Sequence, residues 1–396
     1  MSVPAHRPVA AATLPEPSAD ARAASEALAS DIAGSIAAAG GWIGLDRFME
    51  FALYTPGLGY YGGGASKFGA AGDYVTAPEL SPTFAQTLAA QLQQLQACCP
   101  AQIIEVGGGS GKLACDLLLE LERQRGLPET YAILELSGEL RRRQRDTIGH
   151  RVPHLLSRVR WLEELPERFS GVVLANEVLD AMPARLVRWH ADGISERGVT
   201  VAGGRFAWAD RPAGGPLLDR ARALAAECGI GRPYLSEISL AAQAWVTQWA
   251  RILDQGVLLL IDYGFPRREY YHPQRDAGTL MCHYRHHAHD DPFYLPGLQD
   301  ITVHVDFTAI VESGCSEGLD LLGYTTQSAF LFNCGLTDIL ARTPVDDTLR
   351  YLPLANAVQK LVSPAEMGEL FKVMALGKRI SAPLRGFSTG DRSASL

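Results

Sequence analysis

The residues most suited to chemistry in this sequence are a glycine run and four acids placed after apolar segments. Positions 103–111 read Ile-Ile-Glu-Val-Gly-Gly-Gly-Ser-Gly, so an apolar run passes through Glu105 into Gly107, Gly109 and Gly111, and a helix-like stretch, 112–123, follows at once. A strand that ends in a glycine turn and opens a helix binds nucleotides, because glycine lets the backbone approach the ligand and the helix start offers free N–H groups. The spacing narrows the ligand. A P-loop requires Gly-x-x-x-x-Gly-Lys-Ser/Thr, but position 106 is Val and Leu113 follows Gly111-Lys112. A dinucleotide fingerprint started at Gly107 would need its third glycine at 112, which is Lys. The pattern that remains is Glu-x-Gly-x-Gly-x-Gly.

That spacing is the one used by S-adenosylmethionine (SAM) methyltransferases. Glu135, in Leu134-Glu-Leu-Ser137, follows the next apolar segment. An acid one strand over from the glycine turn accepts both ribose hydroxyls, or else is a surface residue before a turn. Glu105 either holds the methionine ammonium, directly or through water, or braces the loop backbone. A later apolar segment runs into Asn176-Glu-Val-Leu-Asp-Ala-Met-Pro183. Methyl transfer needs a positioned nucleophile and a dry site rather than a metal. Were the nucleophile a guanidinium nitrogen, Glu177 and Asp180 would suit it as acceptors with bidentate geometry. The other assignment has Asp180 capping the turn and Glu177 in water. Asp262, at the end of the last long apolar run, is either a further acid of the crevice or a loop cap.

The elements that would position these residues alternate regularly. Apolar spacing predicts helices over 21–39, 45–54, 83–96, 112–123, 140–147, 240–253 and 346–361. Strands are expected at 102–106, 132–136, 159–162, 171–176, 257–262, 319–325 and 370–376. Continuous apolar strands such as Val-Leu-Leu-Leu-Ile at 257–261 mark a parallel sheet between helices, an α/β fold. Two stretches interrupt the rhythm: 188–210, expected as a hairpin excursion, and 266–306, a long loop rich in His, Tyr, Asp and Pro. The Gly- and Tyr-rich stretch 57–71 reads as a loop, and its aromatic parts, 59–61 and 68–74, form either a lid over the site or a packed aromatic loop. His283, His286, His287 and His289 lack metal-ligand spacing, so no metal is expected, and Asp290-Asp291 suit a turn.

With 396 residues and 47% hydrophobic content the chain can bury a large core. It contains no apolar run of membrane-spanning length. Its net charge of −8 weighs against a broad nucleic-acid surface and in favour of a cationic partner. Seven scattered cysteines without Cys-x-x-Cys fit reduced thiols. Residues 1–20 are expected to be a disordered arm without a secretory or transit pattern, since Glu16 and Asp20 intrude, which points to a cytoplasmic protein.

The motifs together resemble the MidA-type family of class I SAM-dependent methyltransferases. They are Gly59-Tyr-Tyr61, Gly72-Asp-Tyr-Val-Thr-Ala-Pro-Glu79, the glycine run, Asn176–Pro183, Asp262-Tyr-Gly264, Gln299-Asp-Ile-Thr-Val-His-Val-Asp-Phe-Thr308 and Met367-Gly-Glu-Leu-Phe-Lys-Val-Met-Ala-Leu376. Mitochondrial members assist complex I assembly and are regarded as protein arginine methyltransferases. The resemblance implies a Rossmann-like seven-stranded sheet with its last strand antiparallel. It implies SAM, and its product S-adenosylhomocysteine, at Glu105, Gly107, Gly109, Gly111, Glu135, Leu136 and Asn176. The methyl acceptor, a protein arginine, is expected at Asn176, Glu177 and Asp180, beside the 59–79 segment. A respiratory NADH dehydrogenase subunit is a candidate acceptor by analogy.

The expected division is one methyltransferase domain over 21–378, with a helical and lid segment at 21–81. Its core covers 82–187, 236–265, 319–326 and 367–378, interrupted by substrate-side insertions at 188–235, 266–318 and 327–366. A polar tail, 379–396, follows. Other functions open at this point are a non-catalytic SAM-binding assembly factor and a methyltransferase of RNA or a small molecule.

Overall fold

Apolar runs buried on both sides set the centre of the molecule, a computed structural model that describes residues 14–63 and 76–396. In Leu253–Phe265, Val257, Leu259 and Ile261 join one apolar cluster and Leu258 and Leu260 another. In Phe371–Lys378, Val373 and Ala375 divide from Met374 and Leu376 in the same way. Successive side chains of a strand point to opposite faces, so such a strand needs cover on both. On one face the cover is Pro82–Gln96 and Lys112–Arg123, through Phe84, Leu88, Leu117 and Leu121. On the other it is Leu240–Ile252 and Phe307–Cys315, through Val246, Trp249 and Ile310.

Seven strands form the main path of this sheet: β1 (Gln102–Val106), β2 (Thr130–Leu134), β3 (Val159–Leu162), β4 (Phe169–Asn176), β5 (Leu253–Phe265), β6 (Asp320–Thr326) and β7 (Phe371–Lys378), and a short eighth, Val305–Asp306, pairs parallel with the end of β5 off that path. Their order is β6-β7-β5-β4-β1-β2-β3. Neighbours from β5 to β3 are parallel, whereas β7 runs antiparallel to both β5 and β6. β4 and β5 approach closely at Gly171 and Gly256. A Cβ on Gly256, whose φ is +141°, would lie 1.8 Å from the Gly171 carbonyl oxygen. From β1 the chain proceeds to β2 on one side, and β4 lies on the other. That switch opens a crevice at the carboxyl ends of β1 and β4, where ligands bind in such sheets.

The interruptions are folded. Residues 188–210 belong to an antiparallel sheet in which Ile43–Gly44, Gly193–Ala202, Arg185–His190 and Tyr234–Ile238 are neighbours and Arg205–Pro212 pairs with Gly193–Ala202. The excursion is therefore wider than a hairpin. Residues 266–306, expected as a loop, include a three-stranded sheet of His287–His289, Met281–Tyr284 and Asp300–Thr302. Its strands are three or four residues long, too short for periodicity to reveal. With the helices Ala19–Ala38 and Leu45–Tyr54, these sheets enclose a third apolar cluster that includes Leu28, Ile32, Phe48, Leu186, Cys282 and Ile301.

The ends also differ from expectation. The first helix begins at Ala19, with Ser18 as its N-cap, and Leu14 is buried, so the described part of the 1–20 segment is packed against the protein. Residues 1–13 lie outside the described residues. The segment after Lys378 looks polar by composition but places Ile380, Leu384 and Phe387 in the core. Gly386 N–H donates to Gln91 Oε1 (2.8 Å), and the Phe387 ring meets Phe330 edge-on at 5.6 Å between centroids. Three spaced anchors suffice to fix a chain whose other residues face water. Phe387→Ala should cost about 3–5 kcal/mol in urea unfolding. An unchanged unfolding midpoint would mean that this segment is a tail after all.

Candidate active site

The glycine turn is left-handed at alternate residues. Gly107, Gly109 and Gly111 have φ of +67°, +51° and +82°, a region costly for side chains with a Cβ. A Cβ on Gly109 would meet nothing within 4 Å, so this glycine faces open space. Gly111 is pressed on Gln144, whose Cα would lie 3.1 Å from an added Cβ. Ser110 Oγ donates to Glu79, and Lys112 Nζ donates to the Pro78 carbonyl (2.6 Å) and to Asp116 (2.7 Å). Lys112 thus ties the short helix Ala77–Leu80 to the turn.

Glu105 is buried in β1 and accepts the Tyr131 hydroxyl at 2.6 Å. Burial pushes its carboxyl up to about 7 against that hydrogen bond. Glu135 and Leu136 lie just beyond β2, which ends two residues earlier than the pattern suggests. Glu135 is only 7% exposed, so it is not a surface residue. Its Oε1 accepts the Ser137 N–H (3.0 Å) and its Oε2 the Gln144 amide (3.1 Å). The same amide donates to the Gly109 carbonyl (3.2 Å), and Trp161 Nε1 donates to Gln144 Oε1 (3.0 Å). Gln144 therefore couples the glycine turn to Glu135, a role with no signature in the sequence. Leu136 is 74% exposed, an apolar surface beside the acid.

The acidic side is built on one turn. Glu177 has φ +54°, a strained conformation for a residue with a side chain. Two neighbours hold it. Its N–H donates to the Ile261 carbonyl (2.9 Å), and Asp262 Oδ2 accepts the N–H groups of Val178 (3.1 Å), Leu179 (2.9 Å) and Asp180 (3.4 Å). Asp262 is thus a loop cap. Asn176 Nδ2 donates to Glu177 Oε1 (3.1 Å). Burial raises Glu177 to about 8, and the neighbouring Asp180 adds to the shift. Burial also pushes Asp180 well above the carboxylate range, helped by Asp262 and Asp300, against a hydrogen bond from Tyr263. Asp180 Oδ1 and Asn176 Oδ1 are buried without a hydrogen-bond partner.

Further residues converge here that the sequence did not single out. Asp300 is 1% exposed and accepts the Tyr61 hydroxyl at 2.9 Å. Tyr54 donates to the Ala181 carbonyl (2.9 Å) and stacks on Tyr61. Asp300 lies inside the Gln299–Thr308 motif, which was the one signal available. The His-rich segment lies on the hairpin of Met281–Tyr284 and His287–His289, where His283 pairs with Asp300 across the strands, and His289 Nδ1 accepts the Asp291 N–H (3.3 Å). The aromatic part of the expected lid, Phe68–Tyr74, lies outside the described residues.

A sheet of this order, with a left-handed glycine turn after β1 and a buried acid after β2, defines a class I SAM-dependent methyltransferase. The residues fit that cofactor: open space over Gly109, an oriented carboxylate at Glu135 and apolar Leu136 beside it. Residues 83–325 match a family model described as "Putative S-adenosyl-L-methionine-dependent methyltransferase". A crystal structure from Burkholderia thailandensis, of a "likely methyl transferase" bound to S-adenosyl-homocysteine, is 53% identical. It superimposes with a TM-score of 0.94 over 97% of this chain and 100% of that one. Two curated relatives are called mitochondrial protein arginine methyltransferase NDUFAF7 or its homolog. The one from Drosophila melanogaster is 28% identical, over 94% of this chain and 91% of its own length. The one from Danio rerio is 27% identical, over 85% and 83%. The chain belongs to this methyltransferase family, the MidA type, and SAM is its cofactor.

The raised acid at Glu177 has a measurable consequence. A carboxyl whose folded pKa exceeds its unfolded one contributes stability fully below the unfolded value, about 4.3, and loses it as pH rises through the folded value. For Glu177 the loss is complete above about 8. Glu177→Gln should therefore gain in Tm over the native protein as pH is raised from about 5 to about 9. Parallel Tm curves in thermal-shift assays would refute this.

Proposed function

We propose that this methyltransferase modifies an arginine side chain of a protein. The cofactor would lie from Glu105, Gly107, Gly109 and Gly111 across to Glu135 and Leu136, with Asn176 at the methyl end. The acceptor would lie at Asn176, Glu177 and Asp180, under a cap drawn from the described parts of 21–81, from 188–235 and from 266–306, all within one methyltransferase domain, whereas Phe307–Cys315 and Gln327–Asn333 pack on the sheet instead. The observation that carries the reading is the buried Asp180 Oδ1 without a partner, beside Glu177. Among the described residues no salt bridge engages either acid. Carboxylates drawn out of water are costly unless a cation meets them. A guanidinium supplies that cation together with N–H donors in a fixed fork. The names of the curated relatives support the same acceptor.

The cofactor supplies a methyl group activated on a sulfonium. Asp180 and Glu177 orient the guanidinium so that one nitrogen faces that methyl. As the N–C bond forms and the S–C bond breaks, the nitrogen loses a proton. Glu177, its carboxyl raised to about 8, is suited to take it. A respiratory NADH dehydrogenase subunit is the acceptor by analogy, with a part in complex I assembly. The seven cysteines are all free thiols, which supports a reducing compartment such as the cytoplasm. No helix among the described residues is long and apolar enough to cross a membrane.

Labelling a knockout lysate with radioactive SAM, followed by mass spectrometry, tests the acceptor. The expected product is a methylarginine, and label on RNA or on another side chain would refute the reading. Two sets of variants test the residues. Gly109→Val should abolish calorimetric binding of S-adenosylhomocysteine, and Glu135→Ala should weaken it by about 10- to 150-fold. Unchanged affinity in both would remove the cofactor assignment. Glu177→Gln keeps the shape and removes the charge. It should leave cofactor affinity nearly intact and lower turnover on the acceptor by about 100-fold or more. Wild-type turnover would exclude Glu177 from the transfer.

A further inference from the structure

We infer that Asp300 and Tyr61 form a second wall of the acceptor pocket, which selects a flat, two-edged guanidinium over a lysine ammonium. The inference rests on the arginine reading above and deepens it. Asp300 comes from neither β4 nor the turn after it. It opens the strand Asp300–Thr302, delivered by the insertion that follows β5.

Several contacts bring this strand to the acids. The Val303 N–H donates to the Asp180 carbonyl at 2.9 Å. Thr302 shares a face with Asp300, one strand repeat or about 7 Å away, and acts on the Tyr263 phenol, which burial and Asp180 push well above its ordinary range. Asp300 Oδ1 accepts the Tyr61 hydroxyl (2.9 Å) and the Ile301 N–H (3.0 Å), so its carboxylate is held in one orientation. The charge of Asp300 is felt at both Asp180 and Glu177.

The second observation is the buried, unpartnered Asp180 Oδ1 between these walls. Carboxylates presented from two chain segments suit a cation with donors on more than one edge. A guanidinium has five N–H donors in a plane, whereas an ammonium is a compact point charge. The floor is also flat: Tyr54 stacks on Tyr61 at 5.5 Å and 26°, and is 37% exposed. An aromatic face of this kind takes a planar cation.

The test uses the full-length protein and the peptide around the arginine that labelling identifies, with the same peptide carrying lysine as a competitor. Asp300→Asn should raise KM for the arginine peptide by about 10- to 100-fold. It should narrow the preference for arginine over lysine and leave the calorimetric affinity for S-adenosylhomocysteine unchanged. Tyr61→Phe, which keeps the ring and removes one donor to the carboxylate, should give a smaller rise, about 2- to 10-fold. Should Asp300→Asn lose S-adenosylhomocysteine binding through misfolding, Tyr61→Phe decides by itself. Asp180→Asn is run in parallel. If it impairs the arginine peptide while Asp300→Asn and Tyr61→Phe leave KM and the preference unchanged, the second wall is refuted and the arginine reading stands. If labelling yields no methylarginine, both fall.

Discussion

Asp262 holds together the turn that follows β4. One of its oxygens accepts three successive N–H groups, from Val178, Leu179 and Asp180. The other accepts the N–H of Tyr263. Backbone donors gathered on a buried carboxylate fix the turn that leaves β4, and they make the left-handed conformation of Glu177 tolerable. The geometry of Asn176, Glu177 and Asp180 follows from that turn. β5 supplies the capping acid and β4 the turn, so the pairing of these two strands, with Gly171 against Gly256, underlies the site.

On the cofactor side Gln144 has a comparable part. It lies on the helix after β2 and bonds both the glycine turn and Glu135, while Trp161 from β3 holds its far end. Three strands and a helix are thereby locked around one amide. In each half a buried polar group with nearly complete hydrogen bonding sets the shape. Burying such groups is tolerable when partners are present and costly when they are not. The unpartnered oxygens of Asp180 and Asn176 are therefore informative about what binds.

Much of the sheet was legible because its signals are local. The bounds of β1, β3 and the helix Lys112–Arg123 follow from apolar runs and the glycine turn. β2 and its helix were displaced by a few residues, because Leu134-Glu-Leu136 continues the apolar pattern past the last ladder bond. The region 266–306 was illegible as structure because its short strands gain their stability from Leu28, Phe48 and Tyr60, far away in sequence. The terminal segment deceived for a similar reason: Ile380, Leu384 and Phe387 are few among polar residues, yet all three are buried.

By itself the sequence determined the class of the protein. The glycine spacing excludes two other nucleotide sites, and the strand–turn–helix order requires a parallel sheet with a crevice at its carboxyl edge. Those features depend on residues adjacent in the chain, so they survive without three-dimensional knowledge. Only the tertiary structure decided which acids are buried together beyond β4. It made Asp262 a cap rather than a crevice acid, and it brought Asp300 to Asp180 across more than a hundred residues of chain. The reason is physical. Whether a carboxylate is a cap, a brace or a ligand depends on which donors reach it after burial, and those donors come from strands that the chain brings together only when the sheet and its cap have formed.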